Sequence, residues 1–124
     1  MEGKRNIYKL GAYGENLAAE FLLRHGFKIL TRNFRVRGAE LDIIALKENA
    51  VYFVEVKTRT GSAYGAPESA IHYYKQRHIQ FAAQIFVAQN PQYAESELHF
   101  SSLAVMINVA DKRANFRFIK DINN

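Results

Sequence analysis

Asp42, Glu55 and Lys57 lie close together in a stretch otherwise dominated by Val, Ile, Phe and Tyr, and two acids with a lysine are the parts of a phosphodiester-cleaving metal site. If Glu48 and Asn49 form a two-residue turn, facing positions sum to 97, so Asp42 lies opposite Glu55 and Glu40 opposite Lys57. Alternation then puts Glu40, Asp42 and Ile44 on one side of their strand, and Phe53, Glu55, Lys57 and Arg59 on one side of theirs. A bulge would shift this pairing. Opposed side chains start about 5 Å apart at Cβ, and two carboxylates there repel by ~3 kcal/mol at an effective dielectric of about 20. Lys57 offsets only part of the charge of Asp42, Glu55, Glu40 and nearby Glu15, so either a proton is shared or a cation sits between the acids.

A hard divalent cation suits carboxylate oxygens. Mg²⁺, or Mn²⁺ in its place, typically keeps several waters and binds through one or two carboxylates plus substrate phosphate. Such a site could activate a water and stabilise charge on a phosphodiester, with Lys57 orienting the water or steadying the developing charge. The competing reading is a set of ordinary surface ion pairs, each worth little. Against it stands the strand Val51-Tyr52-Phe53-Val54-Glu55-Val56-Lys57, where partial burial makes unpaired charge costly.

The elements that position these groups follow from periodicity. Leu10, Tyr13, Leu17, Phe21 and Leu22 repeat at helical spacing over Leu10 to His25, and Gly26 stops the helix. Gly11, Gly14 and Ala18 lie on or beside that face and would let the helix approach a sheet closely, with Glu15 at its border. Strand-like runs follow at Phe27 to Arg35, Glu40 to Lys47 and Ala50 to Thr60. Gly61 to Ala66, which includes Tyr64, reads as a loop that either meets a ligand or merely connects. Pro67 opens a second helix that runs to about Asn90-Pro91, with a buried stripe of Ile71, Tyr74, His78, Phe81, Ala82 and Ile85. Leu98 to Val109 and Phe116 to Ile122 read as strands around a polar turn at Asp111 to Asn115. The order αβββαββ is that of an α/β fold, a central mixed sheet flanked by helices, and residues 1–124 read as a single domain.

Composition narrows the partner. A net charge of +5, from 17 Lys and Arg against 12 Asp and Glu, favours an anionic partner such as nucleic acid. Arg32, Arg35, Arg37, Arg59 and Lys75 are the candidate phosphate contacts, although for any single one of them a solvated surface charge is the commoner case. The absence of cysteine excludes disulfides and thiolate metal sites, so a metal must be held by oxygen or imidazole. His25, His72, His78 and His99 show no close pair at ligand spacing, and His78 is expected to pack in the core. No window approaches the ~20 apolar residues of a membrane helix and no signal-peptide pattern opens the chain, so a cytoplasmic location away from membranes is expected.

In order along the chain stand Gly11-x-x-Gly14-Glu15-x-x-Ala18, Arg32-Asn33-x-Arg35-x-x-x-x-Glu40-Leu41-Asp42, Phe53-Val54-Glu55-Val56-Lys57-x-Arg59 and Gly65-x-Pro67-Glu68-x-Ala70, then Lys75. Taken together, from Gly11 to about Val87, they resemble the YraN-like bacterial proteins, relatives of Holliday-junction resolvases and PD-(D/E)XK restriction endonucleases. The resemblance implies a restriction-endonuclease-like fold in which Asp42 and Glu55 are the metal-binding acids and Lys57 the motif lysine. It also places Glu15 where resolvase relatives carry a helical glutamate that completes the metal site; a surface position at the border of the helix is the alternative. Glu40 matches the pattern in an accessory role, orienting Lys57 through an ion pair.

Two departures stand out. The family's Gly-Glu-Ile-Asp is Ala39-Glu40-Leu41-Asp42 here, which keeps both acids, and its Arg-Phe-Asp is His99-Phe100-Ser101.

The expectation is a Mg²⁺-dependent DNA endonuclease, acting on branched or damaged DNA and working as a homodimer if two strands are cut together. A nucleic-acid-binding module that keeps the fold without cleaving, or a protein-interaction adaptor, are the other classes.

Overall fold

The turn at Glu48-Asn49 fixes the centre of the sheet. Both residues adopt left-handed backbone, with φ of 51° and 68°, the conformation a tight type I′ hairpin requires at both central positions. It joins β2 (Ala39–Lys47) to β3 (Ala50–Thr60) with antiparallel pairs from Lys47↔Ala50 to Ile43↔Val54, the register that sums to 97. The computed structural model describes residues 2–60 and 73–122, with side chains described for 10–60 and 78–122. The loop Gly61 to Ala66, the helix start at Pro67, Ile71, His72 and the side chains of Tyr74 and Lys75 lie outside those residues.

Around the hairpin, β1 (Lys28–Val36) pairs antiparallel with β2, β4 (Glu97–Asn108) runs parallel to β3, and β5 (Arg113–Ile119) returns antiparallel to β4. The five strands stand in the order β1-β2-β3-β4-β5. A parallel neighbour needs a crossover, and α2 (Tyr73–Gln89) with a 3-10 turn at Pro91–Tyr93 supplies it. With α1 (Glu2–Arg24) the described elements follow the order αβββαββ, a five-stranded mixed sheet with two helices consistent with a restriction-endonuclease-like fold.

α1 and α2 cover opposite faces of the sheet. Under α1, Ala18, Ala19 and Leu22 pack with Phe27, Ile43, Ala45, Tyr52, Val54, Leu103 and Val105; under α2, Ile79, Ala82, Ala83 and Phe86 pack with Leu41, Ile44, Val51 and Phe53. No helix among the described residues is long and apolar enough to cross a membrane.

α1 ends as its glycine dictates. Gly26, at φ 87°, lets its own N–H donate to the Leu23 carbonyl and that of Phe27 to the Leu22 carbonyl, a Schellman closure that drops Phe27 onto Leu22 in the core.

The helix starts at Glu2 rather than Leu10, and its expected face meets the sheet: Leu22 is buried, Leu10, Leu17 and Phe21 pack partly buried on the core, and Gly14 and Ala18 are buried beside them, while Tyr13 alone of that stripe is 52% exposed. The expected close approach is made at Gly14. A Cβ on Gly14 would fall within 3.0 Å of three Thr58 side-chain atoms on β3, so only glycine admits this contact, whereas Gly11 faces open space.

α2, by contrast, is turned from its expected face. His78 and Phe81 are exposed, Phe81 at 48%, and Ile79, Ala83 and Phe86 take the buried positions with Ala82. Ile79, Ala82, Ala83 and Phe86 also satisfy helical spacing, so the apolar sequence carries two competing stripes.

β5 begins at Arg113, three residues before the expected Phe116, because the turn is shorter. Asn108 and Asp111 each accept a backbone N–H two residues ahead, and Lys112 takes φ 58°, closing the connection within four residues.

Candidate metal and phosphate site

Regular pairing of β2 with β3 stops at Ile43↔Val54, one step short of the predicted Asp42–Glu55 pair. Beyond it β2 stays with β1, through Phe34↔Leu41 and Val36↔Ala39, while β3 stays with β4 as far as Thr60↔Ile107. The sheet forks there, and Asp42 sits in the fork. Its Oδ2 accepts a hydrogen bond from the main-chain N–H of Val56 at 2.8 Å, satisfying a donor that the departing strand leaves behind.

The fork also reverses which side each residue faces. Ile43 and Ala45 pack under α1, yet Leu41 and Ala39 pack under α2, which strict alternation forbids. On β1 the counterpart is Asn33, at φ 54°: Arg32 points to α1 and Phe34 packs under α2. An earlier bulge between Ile29 and Thr31 shifts the β1 register by one. The expected sharing of one face by Glu40, Asp42 and Ile44 therefore fails, because two strands are pulled toward different neighbours.

The fork opens two hollows with Asp42 on the border of both. One, of about 390 Å³, is lined by Gly38, Glu40, Asp42, Glu55 and His78 among others; the second, of about 340 Å³, is lined by Glu15, Asn33, Glu40, Asp42 and Thr58 among others. Glu55, only 6% exposed, stands on the α2 face of β3 in line with Val51 and Phe53. Lys57, half-buried, follows by alternation on that side.

Glu15 reaches the second hollow from α1. Arg32 holds it, with Nε donating to Glu15 Oε1 at 3.2 Å and Nη2 donating to Asn16 Oδ1 at 2.8 Å. Arg32 is thus a tie between α1 and β1. Glu40 pairs with Arg35, whose Nε lies 2.9 Å from Glu40 Oε2, and with the ladder ended the predicted Glu40 to Lys57 opposition does not form. Arg37 is exposed on the β1–β2 turn beside Gly38, and Arg59 is exposed with Nη1 donating to the Thr58 carbonyl.

The donors fit one kind of ion better than others. Among the described residues no three of the Asp, Glu and His side chains come together closely enough to hold a metal alone. Asp42 and Glu55 on one hollow match a hard cation that takes one or two carboxylates and completes its shell with water and phosphate, and do not match a closed tetrahedral zinc site.

Residues that the sequence did not assign to the site also border these hollows. His78 was expected in the core and instead opens onto the hollow of Asp42 and Glu55, because α2 buries Ile79 and Phe86. Asn33 and Thr58 border the other hollow. The departure at His99-Phe100-Ser101 is structural: His99 is buried between Glu97 and Asp121 and stacks on Tyr52 at 4.8 Å, while the Ser101 hydroxyl donates to the Lys120 carbonyl.

Comparison with known proteins gives a consistent set. The sequence model described as uncharacterised protein family UPF0102 matches residues 14–115. A UPF0102 protein of Caldicellulosiruptor bescii is 37% identical over 116 residues, covering 94% of this chain and 98% of its own length. One from Caldicellulosiruptor saccharolyticus is 40% identical over the same shares. One from Geobacter metallireducens is 51% identical over 83 residues, 67% of this chain and 68% of its own.

Proposed function

The chain belongs to the uncharacterised protein family UPF0102, and from that premise we propose that it is a Mg²⁺-dependent endonuclease that hydrolyses phosphodiester bonds in DNA, branched or damaged DNA in particular. The observation that carries this reading is the position of Asp42 in the sheet fork, tied to Val56 N–H and sharing a hollow with buried Glu55. A surface ion-pair network would not need its central acid anchored to main chain beside a second, buried acid. The net charge of +5 supports an anionic substrate.

In this reading Asp42 and Glu55 hold the cation, and Glu15, steadied by Arg32, approaches from the α1 side. A Mg²⁺ or Mn²⁺ ion bound there would supply Lewis-acid stabilisation of a phosphate and acidify a water. Lys57 follows Glu55 on the same face, where its ammonium can orient the attacking water and offset charge developing on the phosphate. The anchored Asp42 keeps its carboxylate in place without help from substrate, so less ordering is left to binding. Arg35, Arg37, Arg59 and Lys75 are the candidate backbone contacts.

A second reading, a nucleic-acid-binding module without cleavage, draws on the same net charge of +5 and needs no cation. Incubation with flapped, four-way branched, duplex and single-stranded DNA in Mg²⁺ or Mn²⁺ separates the two. Cleavage by wild type that Glu55→Ala and Lys57→Ala abolish supports the endonuclease. Binding with no cleavage of any substrate supports the module, and equal cleavage by wild type and Glu55→Ala would show that the activity belongs to another protein.

A further inference from the structure

Ser102 is 1% exposed, and its Oγ has no hydrogen-bond partner among the described residues. The adjacent Ser101 hydroxyl, by contrast, donates to the Lys120 carbonyl. A buried hydroxyl that makes no bond works against the resting fold, and alanine would fill nearly the same space without that cost.

Its neighbour gives it a use. In the parallel ladder Ser102 is the register partner of Glu55, and adjacent strands lie about 4.8 Å apart. Register partners here project to one face: two positions earlier, Phe53 and Phe100 stack at 5.5 Å. The Ser102 hydroxyl therefore emerges beside the Glu55 side chain, on the face covered by α2.

We propose that Ser102 is a positioning residue for Glu55, donating its O–H to the Glu55 carboxylate when that carboxylate holds a divalent cation. This rests on the reading of Asp42 and Glu55 as a divalent site. A carboxylate that gives one oxygen to a cation presents the other to its surroundings, and a hydrogen bond there decides which oxygen faces the ion. Outer partners of this kind are typically worth about 10–100-fold in metal affinity. The hydroxyl's cost to the resting fold is then offset only in the loaded protein.

The test compares the full chain with Ser102→Ala and Ser101→Ala, titrating Mn²⁺ by calorimetry and unfolding the metal-free proteins in urea. Ser102→Ala is expected to bind Mn²⁺ roughly 10-fold or more weakly, while the metal-free protein is as stable as wild type or more so. Ser101→Ala is expected to give the opposite pattern, lower stability with unchanged affinity. Wild-type affinity in Ser102→Ala, or a metal-free Ser102→Ala protein less stable than wild type, overturns the assignment. An equal loss of affinity in Ser101→Ala overturns it too, because the effect is then general to β4. If wild type itself binds no Mn²⁺, the divalent-site reading fails and takes this assignment with it.

Discussion

The carboxylate of Asp42 accepts the main-chain N–H of Val56 at 2.8 Å, at the point where β2 leaves β3. One side chain thus closes a strand ladder and borders both hollows. The two roles separate by substitution. Asp42→Ala leaves a partly buried N–H without its acceptor and should lose about 1–3 kcal/mol of stability in urea unfolding. Asp42→Asn keeps a carbonyl oxygen for Val56 and should stay within about 1 kcal/mol of wild type. It should nevertheless lose Mn²⁺ affinity on the order of 100-fold, since removing a ligand's charge costs at least as much as removing an outer partner. An Asn variant with wild-type affinity would remove Asp42 from the metal site.

Gly14 sets how closely α1 approaches β3. Gly14→Ala puts a methyl into Thr58 and should cost about 1–3 kcal/mol by overpacking. Thr58→Ala takes away two of the three clashing atoms, so the double variant should recover part of that loss, read as a coupling energy from thermal or urea unfolding. Additive losses would mean that the helix accommodates the methyl elsewhere.

The β2–β3 turn holds Glu48 and Asn49 in left-handed backbone, where Glu is a poor choice. Asn-Gly is the favoured pair for this turn, so Glu48→Asn with Asn49→Gly should raise stability by roughly 0.5–1 kcal/mol, seen as a higher Tm with no change in Mn²⁺ affinity.

Salt dependence of DNA binding distinguishes the arginines. Arg37 is exposed, and Arg37→Ala should lower the slope of log affinity against log salt by about 0.9 if it meets one phosphate of a duplex. Arg32 is held by Glu15 and Asn16, so Arg32→Ala should change the slope less and instead weaken Mn²⁺ binding by loosening Glu15. A full unit of slope lost in Arg32→Ala, with metal affinity intact, would return Arg32 to the set of phosphate contacts.

Much of this architecture is written locally. Turn chemistry at Glu48-Asn49 determines the β2–β3 register, a run of β-branched and aromatic residues determines the bounds of β3, and Gly26 determines where α1 stops. The acids and lysine are legible in the sequence because charge interrupts that apolar run. What tertiary structure alone decided is how these pieces are presented. Nothing local tells β2 to follow β1 while β3 follows β4, and that divergence, reached by non-local pairing, makes the fork and inverts the faces at Asn33 and Asp42. Packing likewise settled which helix residues are covered. Gly14 against Thr58 outweighed burial of Tyr13, and of the two apolar stripes on α2 the one through Ile79 and Phe86 meets the sheet. Periodicity reports that a helix has an apolar side; when two sides qualify, only the shape of the surface it lands on selects between them, and here that choice brought His78 to the hollow of Asp42 and Glu55.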